Sequence, residues 1–231
     1  MRPIFLAILM LAATLAAPLR AQERVLVVVE MFTSQGCSAC VSAEAMLHDL
    51  VDDPDILPLS LHVDYWDYLG WRDVFADPAF TARQHGYAAA GHQSTVYTPQ
   101  IIVNGTDRLL GTRPMQIAER IAAHRAAGLP VVLRVTRQGA QVLIEAEPRT
   151  RGNYVVQLVR YLPEAVTQID RGENAGRTIH HVNIVTDWRP LARWDGAGPI
   201  RLRAEAAGEQ PVAVLIQHAG HGAIVGAAVA R

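Results

Sequence analysis

Hydrophobic and polar positions follow two different rhythms along this chain, and the change falls near residue 128. Residues 25–31 (VLVVVEM) form an almost unbroken apolar, β-branched run, the pattern of a strand buried on both faces. Residues 56–63 predict a second strand. Between them a helix is expected from Cys37 to about Val51, with Ala43, Ala45, Met46, Leu47 and Leu50 on its apolar stripe. A further helix is expected from Asp73 to about Ala90, carrying Val74, Phe75, Phe80 and Tyr87. Residues 100–103 predict a third strand, and Asn104-Gly105 signals a turn into a fourth over 108–111. A closing helix is expected from Met115 to about Ala127, stopped by Gly128 and Pro130.

From Leu129 onward the period shortens to that of strands. Residues 131–137, 141–147, 153–161, 180–186, 200–204, 211–218 and 224–230 read as strands separated by Gly, Pro, Asp and Asn turns. That spacing predicts a mainly antiparallel, sandwich-like module. The expected organisation is a signal peptide over 1–21, an α/β domain over 22–128 and an all-β domain over 129–231.

Composition narrows the classes. Half of the 231 residues are hydrophobic and 19% are charged, which suits one large globular domain or two small ones. A net charge of −1 provides no basic surface, so nucleic acid is not an expected partner. At the N-terminus, Arg2 precedes the apolar run 4–17, and small residues lead to Ala21 before Gln22. This is the layout of a signal peptide with cleavage after Ala21. At about 14 residues the run falls short of the roughly 20 needed to span a bilayer. The mature protein is therefore expected in the periplasm or secreted, with no membrane span after cleavage.

Export makes the cysteines informative, because an oxidising compartment drives thiols to pair or react. There are two, in Cys37-Ser38-Ala39-Cys40. A disulfide stabilises largely by restricting the unfolded chain, and two intervening residues restrict it very little. Chemistry explains the pair better than stapling does. A helix N-terminus beside Cys37 would favour its thiolate and make it the attacking group, with Cys40 one turn on to resolve a mixed disulfide.

The order strand, helix, strand, helix, hairpin, helix resembles the thioredoxin fold. Cys-x-x-Cys lies between the first strand and its helix, and Thr98-Pro99 lies just before the third strand. The resemblance implies that Pro99 is cis and faces the cysteines, and that the Thr98 backbone pairs with a substrate chain, with Tyr97 beside it. It also implies a role for Glu30 as a buried proton acceptor for Cys40; the alternative is a strand-end glutamate turned to solvent or bonding loop amides. More narrowly, VEMFTSQGCSAC, HVDYWDYLGW, VYTPQIIVNG and RGENAGRTIHHVNIV resemble an exported thioredoxin-like bacterial family, domain-of-unknown-function family 1223. Val41-Ser42 departs from the prolines expected after the second cysteine. The family name assigns no reaction.

Residues 62–71 hold four large aromatics, with Tyr65 and Trp66 nearest the strand end. They read either as a substrate platform beside the cysteines or as packing against the β module. Arg83, Gln84 and His85 read as surface or supporting groups on the following helix. Nine histidines raise a copper alternative, with Cys37, Cys40 and His92 as soft ligands. Against it, exported copper carriers of this fold separate their cysteines by three residues. His180-His181 and His218/His221 show no ligand spacing. The expected function is thiol–disulfide exchange on protein or small-molecule thiols, with a redox partner protein and no bound cofactor. A copper carrier and a non-catalytic binding module are the alternatives.

Overall fold

In a computed structural model, residues 25–230 are described, and the expected signal peptide over 1–21 lies outside them. The first strand, β1 (Val27–Thr33), is buried at every position, as its unbroken apolar pattern requires. Helix α1 (Cys40–Val51) leads to β2 (Ile56–His62), which pairs with β1 in parallel from Val27↔Ile56 to Thr33↔His62. Helix α2 (Pro78–Ala90) begins only after the aromatic segment. Asp77 caps it, its side chain accepting from the Ala79 N–H, and Pro78 fills the first turn where no N–H is needed. The hairpin β3 (Gln100–Val103) and β4 (Asp107–Leu110) then joins the other edge of β1 antiparallel, and α3 (Pro114–Ala127) closes the first half.

The second half contributes β5 (Val131–Gln138), β6 (Gln141–Pro148), β7 (Tyr154–Gln168), β8 (Thr178–Trp194), β9 (Ile200–Glu205), β10 (Val212–His218) and β11 (Ile224–Val229). Each expected strand is present, but the expected fold class is not. An α/β thioredoxin-like domain followed by a β-sandwich-like domain would keep the sheet of the first half separate from the two sheets of the second. Instead one mixed eight-stranded sheet runs through both halves in the order β11-β10-β7-β8-β2-β1-β3-β4. Only β5, β6 and β9 form a second, three-stranded sheet. The reason lies at β2. A strand buried on both faces cannot be left as an open edge with unpaired backbone groups, and β8 covers it. Their ladder is short, with the single pair Ser60↔Ile184 in register. Beside it, the buried Asn183 side chain donates to the Pro58 carbonyl at 2.9 Å.

The two faces of the large sheet are covered differently. On one, Val28 and Phe32 of β1 share a core with Phe80 and Tyr87 of α2 and with Tyr161, Ala213 and Leu215 from the second half. On the other, Val27, Val29 and Met31 pack against Ala43 and Leu47 of α1 and Ile117 and Ile121 of α3. Further along that second face, Val156, Leu158, Val212 and Val214 meet Val142 and Ile144 of the small sheet.

Glu30 stands on the α2 face, between Val28 and Phe32, and is fully buried. Arg83 of α2 meets its carboxylate with two hydrogen bonds, of 2.6 and 2.9 Å, and the Tyr87 hydroxyl donates to it at 2.5 Å. Arg83 also donates to Gln217 of β10 at 3.2 Å and lies 3.7 Å above the centre of the Trp188 ring of β8. Burial alone would lower the Arg83 pKa, but the Glu30 carboxylate outweighs it and raises it, so the guanidinium stays charged. Removing one member of a buried pair leaves the other uncompensated, at a cost of about 3–5 kcal/mol. Glu30→Ala is thus expected to destabilise the whole molecule by about that amount in urea unfolding; a loss below about 1 kcal/mol would contradict the role given to this pair.

Candidate functional site

The loop that carries the cysteines is built by its own backbone. After β1 ends at Thr33, the Gly36 N–H is met by the Ser34 hydroxyl at 3.1 Å and the Cys37 N–H by the Ser34 carbonyl at 3.1 Å. The Cys40 N–H then bonds the Cys37 carbonyl, so the chain enters α1 at Cys40, three residues later than the sequence pattern predicts. Cys37 and Cys40 are joined as a disulfide. Both sulfur-bearing residues are buried, at 1% exposure, while Ser38 and Ala39 between them are exposed.

The cover comes from the second half of the chain. Strands β7 and β8 run 15 and 17 residues, and the tip of their hairpin, residues 169–177, reaches the cysteine loop. Asn174 at that tip is fully buried and donates to two carbonyls of the loop, Gln35 at 2.9 Å and Cys37 at 3.1 Å. Gly172, in the left-handed region at φ +81°, packs so closely that a β-carbon there would stand 3.3 Å from the Trp71 Cβ. Trp71 in turn donates its indole N–H to Gln35 Oε1 at 2.9 Å. The aromatic segment therefore lies between the cysteine loop and the hairpin tip.

Beneath the loop, on the α1 face, is a buried polar cluster. Glu44 follows Cys40 by one helical turn and accepts from the Thr33 hydroxyl at 2.9 Å. His62, the last residue of β2, bonds Asp73 Oδ2 through Nδ1 at 2.7 Å. Asp73 also accepts from the Gln35 and Phe75 backbone N–H groups, at 2.8 and 2.9 Å. His181 of β8 lies with its ring centre 5.0 Å from that of His62, and its Nδ1 is 3.4 Å from Glu44 Oε1. Burial alone would lower the His62 pKa, but the Asp73 charge and hydrogen bond, together with the Glu44 charge, raise it. For Asp73, burial would raise the pKa, and His62 with the backbone donors brings it below its usual value.

The proline loop forms a third group. The Thr98-Pro99 peptide bond is cis. Gln84, buried on α2, donates to the Tyr97 carbonyl at 2.8 Å and to Gln100 Oε1 at 2.9 Å, and accepts from the Tyr65 hydroxyl at 3.1 Å. Burial pushes the Tyr65 phenol up to about 12, with the Gln84 bond opposing. Trp66 borders the cysteine loop, since a β-carbon on Gly36 would lie 3.4 Å from the Trp66 Cβ.

The expected residues are thus only partly brought together. Tyr65 and Tyr97 are linked through Gln84, and Thr98 and Pro99 follow Tyr97 directly in the same loop. Glu30 is on the opposite face of β1 from α1 and is bound by Arg83, so it cannot take a proton from Cys40; strand alternation puts residue 30 on the α2 side. Arg83 and Gln84 are buried rather than on the surface, whereas His85 is exposed. His92 is an exposed residue just past α2, at φ 54°, and is not among the grouped ligands described below. Glu44, His62, Asp73, His181 and Asn174 went unrecognised in the sequence. A signal existed for Glu44, which shares the buried stripe of α1 with Cys40, Ala43 and Leu47.

Truncating Asn174 to Ala removes both bonds that hold the hairpin tip over Cys37. The expected result is a roughly tenfold faster reduction of the Cys37–Cys40 disulfide by dithiothreitol, the equivalent of about 1.4 kcal/mol in tip closure. An unchanged rate with native circular dichroism would show that Asn174 does not control access.

The solved structure of protein AGR_C_4864 from Agrobacterium tumefaciens is similar to this chain, at 34% identity and a TM-score of 0.79 over 90% of this chain and 95% of that one. HBP35 of Porphyromonas gingivalis shares the fold at 14% identity and a TM-score of 0.62, over 89% of this chain and 74% of that one. None of the curated proteins matches. The profile of a family described as a protein of unknown function, DUF1223, matches residues 28–217. The chain belongs to that family.

Proposed function

We propose that this protein carries out thiol–disulfide exchange outside the cytoplasm, on protein or small-molecule thiols, through Cys37 and Cys40. The observation that carries the reading is the pair itself. Two cysteines three residues apart, closed as a disulfide at the start of a helix, stabilise less than a bridge closing a long loop, which supports a role in reversible thiol chemistry. In the reduced form the Cys37 thiolate attacks a substrate disulfide and forms a mixed disulfide, expelling one substrate thiolate. Cys40 then attacks the Cys37 sulfur, releases the second substrate thiolate and closes the Cys37–Cys40 bond. A redox partner protein restores the starting state by the reverse electron balance, two electrons and two protons for each cycle.

Burial of both cysteines sets a condition on this chemistry. A substrate sulfur must reach Cys37 in line with the bond that breaks, so the buried loop has to open first, and the hairpin tip bonded to the Cys37 carbonyl through Asn174 is the contact proposed to yield. The group around the cis Thr98-Pro99 bond supports a role in presenting backbone to an extended substrate chain, with Tyr65, Trp66 and Tyr97 alongside.

A Cys40→Ala variant tests the reading directly. With the resolving thiol removed, Cys37 is expected to retain partners as mixed disulfides that run as dithiothreitol-sensitive adducts on non-reducing gels. Cys37→Ser is expected to lose these adducts and all exchange with glutathione disulfide. A Cys37 thiol of ordinary pKa near 8.5, together with no adducts and no exchange, would sink the proposal.

A further inference from the structure

From the cluster beneath the cysteine loop we infer a binding site for one divalent transition-metal ion of the zinc class, with Glu44, His62 and His181 as its ligands. These residues each offer one ligating atom, and the three atoms lie within 4.8 Å of one another. All three residues are buried, at 4%, 0% and 1% exposure. Each also carries a buried polar atom without a hydrogen bond: Glu44 Oε2, His62 Nε2 and His181 Nδ1. Leaving such an atom unsatisfied costs about 1–3 kcal/mol, and three at one place form a polar hollow that one cation would satisfy.

The geometry and the surroundings fit a metal. The 3.4 Å between His181 Nδ1 and Glu44 Oε1 matches the ligand–ligand edge of a tetrahedron with bonds of 2.0–2.1 Å, which is about 3.4 Å. His62 directs Nδ1 to Asp73, which fixes the tautomer and leaves Nε2 for the ion. Carboxylate–histidine pairs of this kind commonly orient metal ligands. Asp73 is itself held by two backbone N–H groups. Phe75 packs edge-on against both imidazoles, at 5.4 and 5.6 Å, and keeps the site dry. Two imidazoles are borderline donors and, with one carboxylate, form a set suited to zinc rather than to calcium or magnesium, which take all-oxygen sites.

One existing contact must yield. Gln35 accepts the Trp71 indole through Oε1, so its Nε2 faces His181 Nε2 at 3.4 Å and the Thr167 hydroxyl at 3.1 Å. That arrangement places the His181 proton on Nδ1. Uptake of an ion moves it to Nε2, and Gln35 accepts it by turning its amide over and releasing Trp71. The ligands come from α1, β2 and β8, so a bound ion would cross-link the place where β2 and β8 meet through a single residue pair. It differs from the copper alternative in using neither cysteine.

The test uses the mature chain with its disulfide intact, stripped by chelator and titrated with zinc alone against a chromophoric competitor. One equivalent of zinc is expected, with a melting temperature that rises with zinc concentration. Glu44→Gln and His181→Asn are expected to weaken binding at least 100-fold. Asp73→Asn is expected to weaken it by about 10–100-fold. The Cys37→Ser, Cys40→Ser double variant should bind like the parent. Absence of stoichiometric zinc binding by the parent, or equal binding by the parent and Glu44→Gln, overturns the inference. Should His181→Asn fail to fold, Glu44→Gln decides alone, because its amide oxygen can still accept from Thr33.

Discussion

The Glu30–Arg83 ion pair is the constraint around which this molecule is arranged. A carboxylate in the middle of an otherwise apolar strand carries a heavy desolvation penalty unless its partner is brought to it with good geometry. Arg83 does so with two hydrogen bonds, and the groups completing its coordination come from both halves of the chain. Tyr87 is four residues on in the same helix, Gln217 is on β10 and Trp188 on β8. Satisfying one buried charge therefore fixes α2 against β1 and draws the C-terminal strands onto the same face. The two halves share a core because they share this network.

A second consequence follows on the other face. With β8 covering the edge of β2, the β7–β8 hairpin is committed to run past the cysteine loop, and its tip has nowhere to go but over Cys37. The same registration sets His181 opposite His62 and Glu44. Covering of the disulfide and assembly of the buried polar cluster are both products of one strand pairing. This gives physical content to the second half of the chain: it packs a hairpin tip on the cysteine loop and supplies one wall of the buried polar cluster, and is more than a separate module attached to the first half.

Much of the local structure was legible in advance. The strands announced themselves by apolar runs or short alternation, the helices by their stripes, and two ends by Gly128 and Asn104-Gly105; α2 begins at Pro78 rather than at the expected Asp73, because Asp77 caps it. The cis bond at Pro99 was implied by the resemblance to thioredoxin-like proteins. What failed was the assignment of roles that depend on faces and distances. The resemblance implied Glu30 as a proton acceptor near Cys40, with a solvent-facing or loop-bonding glutamate as the alternative, yet strand alternation turns it to the opposite side of the sheet from α1, where Arg83 binds it. Glu44 was passed over among the helix positions, yet it lies on the buried stripe. His181 stood 119 positions from His62 with no spacing to relate them.

The sequence by itself determined the family, the kind and order of the elements, and the Cys37–Cys40 pair, because these depend on local patterns of side chains within a few residues. Tertiary structure alone decided that the halves form one eight-stranded sheet, that Asn174 ties the hairpin tip to the cysteine loop, and which carboxylate joins the buried cluster next to that loop. Those outcomes depend on which strand closes the open edge of β2. Pairing between distant strands leaves no periodic trace in either of them, so only the folded chain reveals it.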